Sequence, residues 1–174
     1  PSRERAQVST NSVIARQQGD GWRGRFVHWD GYPTHMVPEL LRIVNELHGG
    51  DGEAALKVLV DKQHGWSTIS KSGVNDNGDD PRFVLVPGYG VGHTALQYQQ
   101  GNPNPSDEVD SWLTHDGDSW GTQWAYVLNG KGLSVFERTY GEDAGWLFVA
   151  FVKYDSAISY PDLMRLEHQG EEDE

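Results

Sequence analysis

The spacing of apolar residues along this chain changes period twice. Ser12 to Gln17 and Arg23 to Trp29 alternate with period two, as strands with two unlike faces do, and Gly19-Asp20-Gly21 turns the chain between them. On the second run Phe26, His28 and Asp30 fall on one face and Val27 and Trp29 on the other. After Pro33 the period lengthens to about 3.6. Pro38 suits a first helical position, and Leu40, Ile43, Val44 and Leu47 make one stripe that Gly49-Gly50 ends. Asp51 then suits an N-cap for a second helix burying Leu56, Leu59 and Val60, which stops at Gly65.

Period two returns in the second half. Phe83-Val84-Leu85-Val86 is wholly apolar, the pattern of a central strand, and Ala95 to Tyr98 reads as a further strand. Trp124 to Leu128 and Lys131 to Arg138 flank Asn129-Gly130, whose residue types supply the positive φ angles of a two-residue hairpin turn. Trp146 to Val152 follows as a strand, and Ser159-Tyr160-Pro161 opens a short helix through Leu166. The order is strands, two helices, strands. It predicts an α+β fold, a mostly antiparallel sheet with a two-helix hairpin packed on one face. Residues 1–11 are expected to form a flexible N-terminal arm, 12–168 a single domain, and 169–174 an acidic disordered tail. The polar, acidic segment from Gln99 to Gly121 carries no Lys or Arg. A connection of that length points to a functional or unstructured loop.

Composition narrows the function. Twenty-six acidic residues against 14 basic ones give a net charge of −12, the wrong sign for direct binding of nucleic acid. The absence of cysteine removes disulfides, thiol nucleophiles and Cys-based zinc sites. No apolar run reaches the roughly 18 residues of a membrane span and no leader pattern is visible, so no membrane is expected and the cytoplasm is the default location.

Candidate chemistry falls in three places. Phe26-Val27-His28-Trp29-Asp30-Gly31-Tyr32-Pro33 ends a strand in a corner with an imidazole, a carboxylate and two large aromatics. There His28 and Asp30 could share a ligand, or Asp30 could orient the imidazole as in a general-base pair. The same residues serve a turn closed by Asp30-Gly31, with Gly31 at positive φ and Trp29 buried under the helices. Pro87-Gly88-Tyr89-Gly90-Val91-Gly92-His93 is glycine-rich but has neither standard nucleotide spacing, and a hairpin connection accounts for it equally. His115-Asp116-Gly117-Asp118 begins like a calcium loop, but Trp120 stands where the third acidic ligand would be and Val127 at the twelfth position, so no metal is predicted. Around it, Trp112, Asp116, Asp118 and Trp120 suggest an acidic, aromatic interaction surface. The chain has no zinc motif, nucleophile elbow or Walker loop, so it gives no catalytic residues and no cofactor.

The His28-Trp29-Asp30-Gly31-Tyr32-Pro33 corner followed by a helical segment resembles a family of uncharacterised proteins from phages and phage-bearing bacteria. The resemblance follows the order of features through to Trp124-Ala125-Tyr126-Val127-Leu128, with residue identity only at the corner. The family's Arg-Asp-rich stretch after a mid-chain Tyr is missing, since Tyr98 precedes Gln99-Gln100-Gly101-Asn102 here. That family has no established biochemistry; small size, strong acidity, the lack of a catalytic motif and the Trp-rich acidic segment from Asp107 to Trp124 point to a phage-type accessory protein in the host cytoplasm that binds and modulates a host protein without catalysis. The residues leave two alternatives open. One is a small-molecule or nucleotide binder or hydrolase using His28, Trp29, Asp30, Tyr32 and His93; the other is a virion component, whose oligomeric state the sequence does not fix.

Overall fold

A computed structural model describes residues 10–168. The fold is α+β: a mixed, mostly antiparallel sheet with helices on one face. Strands β1 (Ser12–Gln18) and β2 (Gly21–Val27) form the first hairpin. Helices α1 (Pro33–Arg42, continued by a π-helical segment Ile43–Leu47) and α2 (Gly52–Leu56, continued by Lys57–Lys62) follow. Next come β3 (Gly65–Ile69), β4 (Phe83–Val86), β5 (Gly90–His93), β6 (Leu113–Thr114), β7 (Trp124–Leu128), β8 (Gly132–Thr139), β9 (Gly145–Lys153) and α3 (Tyr160–Glu167). The order across the sheet is β4-β5-β3-β2-β1-β7-β8-β9, with the two-residue β6 on β2. Only β1–β7 and β2–β3 run parallel, because the helical hairpin and the long polar segment carry those crossovers.

One face packs against the helices. Ile14, Val27, Trp66, Tyr126, Leu128, Leu133 and Val135 from the sheet meet Met36, Leu40, Ile43, Leu56, Leu59 and Val60 in one continuous core. The Asp51 carboxylate caps α2 by accepting from the Ala54 N–H, and Ser159 caps α3 by accepting from Asp162. The other face holds a smaller cluster of Val13, Ala15, Trp22, Leu113, Ala125 and Val127, with Phe26, Phe136 and Trp146 half-buried around it.

Several expectations are corrected. Helix α1 begins at Pro33, so Pro38 lies inside it and not at its start. Leu47 is exposed and not part of the stripe, because the π-helical turn rotates it off the buried face. The Phe83–Val86 strand is an edge strand, with Val84 and Leu85 exposed. Ala95–Tyr98 is a 3₁₀ turn, not a strand. The β7–β8 hairpin forms without positive φ at Asn129 or Gly130. Instead the Asn129 side-chain oxygen accepts from the N–H groups of Lys131 and Gly132 and closes the turn. Thr10 and Asn11 do not belong to a free arm: Thr10 is buried and its carbonyl accepts from the Gly31 N–H at 2.8 Å. The rest of the expected arm and the acidic tail lie outside the described residues.

Candidate functional site

The corner after β2 is built differently from its expected form. Asp30, at φ 56°, takes the left-handed conformation, and Gly31 does not. An Asp tolerates that region because its short side chain bonds locally, and here the Tyr32 hydroxyl donates to its carboxylate at 3.2 Å. Gly31 is required for space: a Cβ there would lie 2.6 Å from the Thr10 carbonyl oxygen and 2.7 Å from Ser12. The buried Tyr126 hydroxyl donates to the Gly31 carbonyl at 2.6 Å and fixes the corner to β7.

Ending the strand at Val27 separates the two groups expected to cooperate. The Asp30 carboxylate faces Tyr32, whose ring meets His35, whereas the His28 ring meets Phe26 and Trp29, so no hydrogen bond pairs Asp30 with His28. Trp29, expected under the helices, is 50% exposed. Of the five proposed ligand-binding residues, His28, Trp29 and His93 come together, and Asp30 and Tyr32 do not join them.

A continuous row of rings runs through this place. Trp29 lies 4.3 Å from His28, His28 6.0 Å from Phe26, Phe26 6.1 Å from Trp120, and Trp120 5.9 Å from Tyr98. Tyr98 continues it to His93 at 5.7 Å and His93 to Phe83 at 5.5 Å. Trp120, like Asp30, is left-handed (φ 52°), and these are the only two non-glycine residues with positive φ among the described residues. Both flank the exposed end of this row. A bulky residue held there costs roughly 1–2 kcal/mol, a cost that the loop sustains with the Asp118 carboxylate accepting from the Trp120 N–H at 3.1 Å.

Beneath the rings sits a polar chain. His93 is 3% exposed. Its Nε2 lies 2.8 Å from the Ser67 hydroxyl and its Nδ1 2.7 Å from the Tyr98 hydroxyl. Ser67 occupies the bulge where the β3–β5 register shifts between Trp66 and Thr68, and the bulge aims its side chain at the imidazole. The arrangement has the outline of nucleophile, base and orienting group, and the imidazole tautomer sets the direction of its protons. Burial holds the Tyr98 phenol neutral, so it can donate to Nδ1 or accept from it. With the ring proton on Nε2 the Ser67 Oγ accepts; with it on Nδ1 the Ser67 hydroxyl donates to Nε2. Burial, aided by the nearby His28, pushes the His93 pKa down to about 4, and burial lowers that of His28 as well, so both rings are neutral at pH 7.

The proposed interaction surface is divided by the sheet. Trp120 touches Phe26 on the open face. Trp112 packs against the helix-side core, its ring centroid 3.7 Å from the Arg23 guanidinium and 3.4 Å from that of Arg25. Two residues along a strand are about 7 Å apart, so the indole lies between the two cations. Arg25 is buried, donates to the Val60 carbonyl and to Ser111, and has its pKa lowered to about 10 by burial and then by Arg23. Asp116 and Asp118 are exposed, and the Asp118 carboxylate accepts from the Trp120 N–H. Among the described residues no group of three or more His, Asp or Glu could hold a metal ion.

The glycine-rich segment forms the β4–β5 hairpin. A Cβ at Gly90 would strike the Thr68 carbonyl, so glycine lets strands approach and cradles no phosphate. Two open depressions, of about 520 and 450 Å³, flank the polar segment. The first is lined by Tyr98, Gln99, Asp107, Glu108 and Asp110, with three carboxylates and no cation, and suits no phosphate-bearing ligand. No described helix is long and apolar enough to cross a membrane.

Ser67 and Tyr98 escaped sequence reasoning. Ser67 lies 26 residues from His93 and reaches it only through the β3–β5 pairing, whereas Tyr98, five residues after His93, is folded back onto it by the Ala95–Tyr98 3₁₀ turn that the pattern reads as a strand. Phe26 carried a usable signal, since period two places it with His28. No protein-family model, curated protein or solved structure matches the chain.

Proposed function

We propose that the protein is a phage-type accessory protein that binds a host protein in the host cytoplasm and does no chemistry of its own. One observation carries this: Trp29 and Trp120 stand exposed on a row of rings through the half-buried His28 and Phe26, at or beside the two strained backbone positions, with the Asp118 carboxylate held at the Trp120 N–H. Aromatic faces beside carboxylates suit Lys or Arg side chains of a protein partner, through cation–π contact and charge together. The open form of the depressions supports a binding role over catalysis. A tagged pull-down from bacterial lysate tests it. The expected result is one stoichiometric protein, released by salt and lost in both Trp29→Ala and Trp120→Ala. Recovery of no such protein, or equal recovery by the variants, counts against the reading.

A second reading, a small-ligand or nucleotide binder, rests on the Ser67–His93–Tyr98 chain beneath the same rings. The Ser67 hydroxyl, 2.8 Å from Nε2, is both donor and acceptor and is the polar group such a ligand would meet. A thermal-shift panel of nucleotides and signalling metabolites separates the two. This reading requires a shift that disappears in His28→Ala with the fold retained.

A further inference from the structure

The strand β9 ends the sheet, and its outer edge has no partner among the described residues. It differs from the opposite edge, β4, which has four residues bounded by Arg82 and Pro87. Nine-residue β9 contains no proline and no charge before Lys153, and it holds Leu147, Phe148 and Phe151 at 51%, 54% and 43% exposure. Long, neutral, apolar edges pair with other strands unless something protects them.

The pattern along β9 indicates which strand. The register on β8 pairs Phe136 with Phe148 and Val135 with Ala150, leaving Val149 as the bulged residue. The bulge belongs to the β8 side; along the free outer edge Leu147, Phe148, Val149, Ala150, Phe151 and Val152 follow in order. This order is palindromic: aliphatic, phenyl, small aliphatic, then small aliphatic, phenyl, aliphatic. Phe148 and Phe151 project from the open face and Leu147 and Val152 from the helix face, as their partners Phe136, Ser134, Glu137 and Leu133 require.

We infer that β9 pairs antiparallel with β9 of a second copy of this chain, about a two-fold axis between Val149 and Ala150. In that register Phe148 meets the other copy's Phe151 twice, and Leu147 meets Val152 twice. Lys153 falls opposite Trp146, a cation beside an indole. A two-fold contact needs a self-complementary patch, and a palindromic strand is one. Charge favours the same occupant. Two chains of net charge −12 repel wherever acids meet, and this strand is a long surface without any. Two paired edges with four phenyl rings approach the roughly 1,000 Å² that separates specific contacts from chance ones. The surface is separate from the Trp29–Trp120 rings, so this inference and the proposed function stand or fall independently.

Light scattering on the full chain after gel filtration tests it. The expected mass is twice the 19.4 kDa of one chain. Phe148→Lys or Phe151→Glu alone should raise the dissociation constant at least tenfold, with circular dichroism unchanged because both side chains are exposed. Combining the two should restore the dimer, since each new ammonium then faces a new carboxylate across the axis. A wild-type chain that stays monomeric at all concentrations overturns the inference, as does a dimer indifferent to Phe151→Glu. Single variants that dissociate without rescue in the double variant overturn the register.

Discussion

The two faces of this sheet solve the same burial problem with different residues. Under the helices the sheet presents Ile14, Val27, Trp66, Tyr126 and Leu133, all fully buried, and the polar atoms of its two large rings have fixed partners. Trp66 Nε1 donates to the Leu59 carbonyl and the Tyr126 hydroxyl to Gly31. On the open face the core is six residues deep, and rings lean out from it: Phe26, Trp29, Phe136, Phe148, Trp120. A half-exposed aromatic keeps much of its packing and still offers a face to a partner, which an aliphatic chain does less well. Fully buried packing is therefore concentrated on the helix side and half-exposed rings on the other.

The largest expected effect lies on the covered face. Trp66→Ala removes a fully buried indole stacked 6.3 Å from Tyr89 and leaves the Leu59 carbonyl without its donor. It should cost about 3–5 kcal/mol in urea unfolding. A loss under 1 kcal/mol would show that the helix face does not hold the fold.

Acid should act through the open face. His93 has its pKa lowered to about 4 in the fold against about 6.5 in an unfolded chain. The unfolded state binds the proton more readily. The stability from a neutral His93 is thus complete above about pH 6.5, declines as pH falls towards 4, and is absent below that. Its size is on the order of 3 kcal/mol. His28, lowered in the same direction, adds to the slope. The groups facing His93 are His28, Ser67, Tyr98 and Phe83, none of them a carboxylate, so nothing offsets the charge. Urea unfolding across this window should show His93→Gln with a flatter profile than wild type. Parallel profiles would place the acid sensitivity elsewhere.

The corner joins the two faces and shows how far the sequence could be read. Period two and period 3.6 revealed β1, β2, both long helices, the β7–β8 hairpin and β9, because in each the packing of a helix stripe or of the two strand faces dictates residue type. The pattern failed where tertiary contact overrides it. Phe83–Val86 is apolar on both sides yet sits at an edge. The left-handed residue at the corner is Asp30, because Gly31 is reserved for closeness to Thr10 and Ser12. Among the site residues, His28, Trp29, His93 and Trp120 were legible as expensive side chains at turns. Ser67 and Tyr98 were not, since polar residues reveal their partners only after strands pair and turns form. Gly31→Ala checks the corrected account: it should cost about 1–3 kcal/mol through overpacking at 2.6 Å from the Thr10 oxygen. Gly130→Ala, with nothing within 4 Å, should cost little. Equal effects at both positions would refute the steric account.

The smallest expected effect on stability is the most telling for the comparison. Trp29 is half exposed, its ring touches only His28 among the aromatics, and its N–H donates to the Ser67 carbonyl whatever the side chain. Trp29→Ala should therefore change unfolding free energy by no more than about 0.5 kcal/mol, as exposed substitutions do. The same change should weaken partner binding at least tenfold, since an aromatic anchor at the centre of a contact carries much of its energy. A loss near that of Trp66→Ala would mean the ring belongs to a core after all. Unchanged stability together with unchanged binding would leave the exposed row of rings without the role that distinguishes the two faces.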